Sequence, residues 1–406
     1  MEGSMEGLRD VEYLPEPSDR RIVSAVDPTV LGFQDGWRSE VMGWAPVTVE
    51  PVAQSRRRPP SLTGVVVFAL LVSASLFMWQ NQWLVVELPL PDSEWAYEST
   101  GIRELQREGY FGDGVRVCMV DTGIDVSHDA LVGQSVVFKD LIGGSIEPID
   151  YGAVAHGTLM AGLLLATTHQ LGAAPNVTFA MVAALQDDGD GDNTGLDSDV
   201  ADAIRWCHFD FGADIISLSL GGAPDSRGSV EGDSSAATRQ ATDAGVYVVA
   251  AAGNDGSEDN GDVASPGSVS LAISVGATTS TGDLWQNSSI GSGETEDGTM
   301  RQSPHQKPEV VAPGVRIVST GEENRWYSSS GTSDSTVFVT GTLALILEAN
   351  PLLKPGASNG SACLESVKEA LAISSSNGTK GHDPYSGYGS LNAEAWMKQA
   401  REISAC

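Results

Sequence analysis

Basic residues are scarce in this sequence. Lys and Arg total 23 against 54 Asp and Glu, and only six of the 23 are Lys. A net charge of −31 repels phosphate backbones and anionic lipid headgroups, which excludes nucleic acid as a partner. Such acidity suits a protein kept soluble in high salt, and the low Lys share leans the same way. Cysteine is also sparse, with four residues and no CxxC pair or other zinc-ligand spacing, which excludes a metal site built on thiolates. Cys118 and Cys207 sit in apolar surroundings and read as buried, free thiols. Cys363 and Cys406 bracket the C-terminal helices and are candidates for a disulfide that sequence alone does not fix. No internal repeat is present.

Charge is missing altogether from Pro59 to Val86, and Leu62 to Trp79 is almost wholly apolar. That length suits one membrane-crossing helix. Arg56, Arg57 and Arg58 precede it, while Glu87, Asp92 and Glu94 follow it. The positive-inside rule then predicts a single-pass protein of the cell membrane. Residues 1–60 form a poorly ordered cytoplasmic tail, 61–86 the transmembrane anchor, and 87–406 an extracytoplasmic domain. A cleaved export signal is the alternative for the same segment. Residues 87–406 hold 44 of the acids and 16 of the bases, so the acidity belongs to the outer part.

That outer part alternates apolar runs with helical patterns. Strands are expected at 115–121, 177–185, 213–220, 246–253 and 271–277. Helices are expected at 156–168, 196–207, 234–244 and 332–350. Continuous β-branched runs alternating with helices imply an α/β fold, a parallel sheet flanked by helices on both faces.

In such a sheet, functional groups collect at the carboxyl ends of strands. Four polar residues stand at such places: Asp121 in "VDTGID", His156 in "HGT", Asn254 after "VVAAAG" and Ser333 in "SSSGTS". A strand-end Asp, a His at a helix start, an Asn after Gly and a Ser at a helix start each have an ordinary role as turn former, surface residue or cap. Together they supply a nucleophile, an imidazole base, a carboxylate to orient it and a donor for an oxyanion. Their order, Asp…His…Ser, differs from those of the α/β-hydrolases and the chymotrypsin-like barrels. The stretch "GTSDS" also lacks the second Gly of G-x-S-x-G.

"VDTGID", "HGT", "SLSLGG", "AAGN", "VVAPGV" and "SSSGTS" stand in the order found in the subtilisin-like serine proteases, and the chain resembles that family from about residue 95 to 400. The resemblance implies a serine endopeptidase in which Ser333 is the nucleophile, His156 the general base and Asp121 its orienter. Asn254 is then the oxyanion donor. Ser219, Leu220 and Gly221 would pair with extended substrate backbone, and Ala251, Ala252 and Gly253 would wall the primary specificity pocket. Polypeptides are the implied substrates, no cofactor is required for catalysis, and a monomer is expected. A peptide-binding pseudoprotease and a non-proteolytic serine esterase are the alternatives.

Two features stand apart. Members of the family usually follow Gly-Thr-Ser with Met-Ala, whereas here Asp334 and Ser335 follow, adding a carboxylate beside the nucleophile that would raise the pKa of a nearby His156. "DDGDGDN" places Asp188, Asp190 and Asp192 at alternate positions, as calcium loops do, so a structural Ca2+ is a candidate there.

Overall fold

The central strands of this protein are unbroken apolar runs because both of their faces are covered. In the computed structural model, seven strands form one parallel sheet: β1 (Arg116–Asp121), β2 (Val136–Asp140), β3 (Thr178–Ala183), β4 (Ile215–Leu218), β5 (Tyr247–Ala251), β6 (Ile273–Thr278) and β7 (Val310–Pro313). Their order is β7-β6-β5-β4-β1-β3-β2, and every neighbouring pair is parallel. Side chains alternate between the faces. Val117 and Met119 of β1 face one core with Phe179 and Met181 of β3, while Cys118 and Val120 face the other with Ala180 and Val182. The structure describes residues 12–13, 66–70, 72–73, 93–190, 192–222, 231–256, 262–295, 298–356, 360–375, 381–403 and 406.

Helices α4 (Asp197–Trp206) and α5 (Asp233–Asp243) cover the second face, contributing Val200, Ala201, Ile204 and Ala241. The first face takes α1 (Glu94–Ser99), α2 (Ile102–Arg107), α3 (His156–Leu165), α6 (Thr332–Ala349), α7 (Ala362–Ser374) and α8 (Ala393–Ala400). All ten residues of α3 are buried, as are Thr332–Leu347 of α6, so these two helices run through the interior rather than over it. That explains their apolar composition all round, without an amphipathic stripe.

A second, smaller sheet is the antiparallel hairpin of β8 (Val315–Thr320) and β9 (Trp326–Ser330), with Glu12–Tyr13 added in parallel beside Tyr327 and Ser328. Ser319 Oγ and Thr320 Oγ1 donate to the Leu159 and Thr158 carbonyls at 2.7 Å each, which seats the hairpin on α3.

The expected strands and helices are all present, with shifted ends. The half-exposed edge strand β2, the short β7 and the hairpin were not anticipated. The cysteines require a correction. Cys118 on β1 and Cys207 at the end of α4 form a disulfide rather than staying free, as chain 89 residues apart returns to lie across the sheet. Cys363 and Cys406 form the second. Among the described residues no helix is long and apolar enough to cross a membrane. The expected span at 61–86 lies outside the described residues except for helical 66–70 and 72–73, and of the expected tail only residues 12–13 are described.

The sheet's β6–β7 edge is fastened by a buried charge cluster. Glu309 receives Lys368 Nζ at 2.6 Å and Lys307 Nζ at 3.0 Å, and the Ser274 N–H at 2.7 Å. Both ammonium groups also donate to the Ala272 carbonyl, at 2.7 and 2.8 Å. Burial drives Glu309 towards its neutral form, but the two lysines more than offset this and hold it below its usual range. One acid thus faces two enclosed lysine amines, whose pKa values burial lowers, that of Lys307 to about 7. Replacing it by the isosteric Glu309→Gln leaves both uncompensated and is expected to destabilise the fold by about 3 kcal/mol or more. A chemical denaturation midpoint equal to wild type would refute this role.

Candidate active site

The central strands β5, β4 and β1 are neighbours, and each delivers a polar segment from its carboxyl end. Asp121 is the last residue of β1, Ser219 follows β4, and Asn254 lies three residues beyond β5. The helices α3 and α6 start at the same edge, bringing His156 and Ser333. Asp121, His156 and Ser333 are all fully buried.

Two glycines explain why the motifs read as they do. The Cβ of any residue at 157 would lie 2.0 Å from the Gly123 carbonyl oxygen. At 123 it would lie 2.0 Å from the Ile149 carbonyl, and φ there is +119°. The "DTG" and "HGT" turns therefore touch backbone to backbone, which brings Asp121 against His156. Asp121 Oδ1 lies 2.7 Å from His156 Nδ1 and also accepts the Thr122 N–H at 2.7 Å. Asp121 Oδ2 and His156 Nε2 are buried with no hydrogen-bond partner among the described residues.

Ser333 is not bonded to His156. Its Oγ donates to the Ser219 carbonyl at 2.9 Å, and Ser219 Oγ donates back to the Ser333 carbonyl at 3.2 Å. Asn254 is oriented by Thr332, whose N–H and Oγ1 both donate to Asn254 Oδ1 at 3.0 Å. Thr332 Oγ1 in turn accepts the Gly253 N–H at 3.2 Å.

The two segments expected to bind substrate meet over one methyl group. Ala264 Cβ would lie 2.7 Å from a Cβ at Gly221 and 3.1 Å from one at Gly253. Leu220, Ala251 and Ala252 are buried, Gly221 and Gly253 partly so. The loop aspartates are a different matter. Asp188 Oδ1 accepts the Asp190 and Asp192 N–H groups at 2.8 and 3.3 Å. Among the described residues no three or more His, Cys, Asp or Glu side chains are gathered to hold a metal ion, and Asp188, Asp190 and Asp192 do not form such a group.

Three contributors were not anticipated. Asp150 is partly buried and accepts four hydrogen bonds: Thr122 Oγ1 at 2.6 Å and the Gly152 N–H at 2.9 Å on one oxygen, the Thr158 N–H at 2.8 Å and Thr158 Oγ1 at 2.6 Å on the other. Thr122 Oγ1 also accepts the Gly157 N–H at 2.8 Å, so Asp150 and Thr122 together satisfy the first turn of α3. Ser329 is the third, bonded to Asp334. The only sequence signal for Asp150 is an Asp six residues before His156, which many surface loops share.

These carboxylates act on the imidazole. Burial works to lower the pKa of His156, but Asp121 by charge and hydrogen bond, helped by Asp334 and Asp150, raises it overall. Asp334 itself is pushed up to about 7 by burial, against the pull of Ser329 and His156.

The family model described as the subtilase family matches residues 112–389. Subtilisin DY of Bacillus licheniformis is 33% identical over 300 residues, covering 72% of this chain and 94% of that one. Serine protease AprX of Bacillus subtilis (strain 168) is 33% identical over 336 residues, covering 74% and 70%. Alkaline elastase YaB of Bacillus sp. (strain YaB) is 34% identical over 249 residues, covering 61% and 57%.

Asp150→Asn tests the electrostatic part of this arrangement. Removing one negative charge near His156 is expected to lower its imidazole pKa by about half a unit to one unit. The amide also sets an N–H group against the donors it replaces, at about 1–3 kcal/mol of stability. NMR titration of the His156 ring protons measures the first, and an unchanged titration would show that Asp150 carries no charge felt by His156.

Proposed function

The chain belongs to the subtilase family and is a subtilisin-like serine endopeptidase, and from that premise we propose that Asp121, His156 and Ser333 are its catalytic triad. The observation that carries the assignment is the 2.7 Å contact between the buried Asp121 carboxylate and His156 Nδ1, with Ser333 opening α6 at the same sheet edge. An Nδ1–H donated to Asp121 leaves Nε2 as the acceptor, the nitrogen a general base needs. Ser333 turns from the Ser219 carbonyl to His156 Nε2. Its hydroxyl proton passes to Nε2 as Oγ bonds to the substrate carbonyl carbon. The carbonyl π electrons move to oxygen, and Asn254 Nδ2 and the Ser333 N–H at the start of α6 receive that oxyanion. The imidazolium, steadied by Asp121, then protonates the leaving amine as the C–N bond breaks. Water, deprotonated by His156, hydrolyses the acyl-enzyme by the same steps in reverse.

No group outside the chain enters these steps, so the reaction needs no cofactor. All the named groups come from one chain, which supports a monomer as the working unit. Substrates are polypeptides whose extended backbone lies along Ser219, Leu220 and Gly221, with a side chain between that segment and Ala251–Gly253. Calcium at the 188–192 loop is left out of the reading, since its aspartates do not converge.

The reading extends to location. Two disulfides suit an oxidising compartment. The Arg56–Arg58 cluster before an uncharged segment supports a chain tethered at 61–86 with its peptidase domain outside the cytoplasm. Val66, Val67, Phe68, Leu70 and Val72 are exposed, as lipid-facing side chains of an anchor would be. The acidity, net −31, fits a surface solvated in concentrated salt.

Ser333→Ala is expected to abolish fluorophosphonate labelling and peptide cleavage with the fold retained. Asn254→Ala is expected to cost about a hundredfold or more in turnover. Wild-type turnover in either variant would sink its assignment.

Topology has its own experiment. Protease-shaving of intact cells is expected to remove a C-terminal epitope and spare one near residue 20. Loss of both epitopes would put residues 1–60 on the peptidase side. That result would overturn the spanning anchor and leave the catalytic reading intact.

A further inference from the structure

Asp334 follows the proposed nucleophile directly and lies in the first turn of α6, where the helix dipole favours an anion. The hydrogen bonds around it favour the opposite. Asp334 is fully buried, its Oδ1 lies 2.5 Å from Ser329 Oγ, and its Oδ2 has no hydrogen-bond partner among the described residues. Ser329 owns one hydroxyl hydrogen and has a second acceptor, the Ile317 carbonyl, at 3.4 Å.

Two protonation states can be written for this group. An ionised Asp334 takes the Ser329 hydrogen and keeps a bare carboxylate oxygen away from water, which is costly. A protonated Asp334 donates to Ser329 Oγ, and Ser329 hands its own hydrogen to Ile317. Every hydrogen is then used and no buried charge remains. Asp150, which also acts on His156, makes the contrast: four donors reach its two oxygens, where Asp334 has Ser329 Oγ and its own N–H.

We propose that Asp334 is a positioning residue that stores a proton beside His156: it is a neutral carboxylic acid in the resting enzyme, and by ionising as the pH rises it holds His156 in its charged form and delays the onset of activity. The inference rests on His156 being the general base. Only the state with His156 neutral can accept the Ser333 proton. When the pair gives up its first proton, the product is either neutral Asp334 with neutral His156, which is competent, or an Asp334 anion with a His156 cation, which is not. The two sites titrate as a coupled pair, and the second form delays activity.

The surrounding charges keep this balance close. Asp121 and Asp150 face His156 from β1 and from the loop before α3, and both favour its cation. Tyr97 of α1 lies within reach of the Asp334 charge, with Arg103 4.0 Å over its ring and Glu94 beside it. His156 is the cation that acts on Asp334. Burial pushes Asp334 up to about 7, and His156 is raised above its ordinary imidazole value. The sign for stability follows. The folded Asp334 binds a proton that the unfolded chain releases near pH 4, so its contribution to stability falls as pH rises from about 4 to 7.

Infrared spectroscopy of the full chain carrying Ser333→Ala, which cannot digest itself, tests the protonation directly. Its difference spectrum against Ser333→Ala with Asp334→Asn is expected to show a protonated-carboxyl band at about pH 5, above the ordinary Asp range. The band is expected to vanish as the pH passes about 7. Its absence at about pH 5 would overturn the proposal, whatever the catalytic assignment. In the active background, kcat/KM of Asp334→Asn is expected to keep its shape with the acidic limb about one unit lower in pH. Superimposable limbs would overturn the coupling to His156. Retained turnover in Ser333→Ala would instead defeat the proposed function, and the infrared band would still report on Asp334.

Discussion

A carboxylate and an imidazole out of water are held together here at 2.7 Å, and the central architecture makes that contact sustainable. A buried ionised pair is favourable only when its remaining valences are satisfied and its geometry is fixed. The parallel sheet fixes Asp121 at the end of β1, between β4 and β3. The close approach of Gly123 and Gly157 fixes where α3 begins. Asp150 and Thr122 satisfy the first N–H groups of α3, so His156 is presented by a helix end that is already saturated. Loosening any of these would separate the pair before it touched the chemistry.

How much of this was legible in the sequence depends on whether a constraint acts locally. Asp121, His156, Asn254 and Ser333 lie inside short motifs because the backbone beside each is confined, by Gly123, Gly157, Gly253 or the start of α6. Such confinement leaves a trace in neighbouring residues. Asp150 leaves none, since its partners, Thr122 and Thr158, come together only when the loop folds back. The Cys118–Cys207 bond is hidden for the same reason: β1 and the end of α4 are distant in sequence and adjacent in space. The edge strand β2 escaped because half its side chains face outward and it lacks the continuous apolar run of the central strands. The alternating aspartates of the 188–192 loop misled in the other direction. Their spacing fits a cation, but Asp188 is occupied by the loop's own backbone.

The molecule treats its two kinds of charge unequally. Acids are abundant and mostly outside, where water and counterions screen them. Of six lysines, two are wholly enclosed around Glu309. A chain so short of cations has placed a third of its lysines where they make structure rather than solubility, at the edge where β6, β7 and α7 meet. Asp121 and Asp334 are enclosed as fully as those lysines, with the His156 imidazole enclosed as well.

The reciprocal bonds between Ser219 and Ser333 carry a kinetic consequence. In the structure the hydroxyl of Ser333 donates to a main-chain carbonyl, and rotation about its own side-chain bond releases it from that contact. Such rotations are orders of magnitude faster than the turnover of ordinary enzymes, roughly 1–1000 per second. In the proposed mechanism, freeing Ser333 from that bond therefore does not limit the rate, and bond making and the departure of the cleaved chain are left to set the pace.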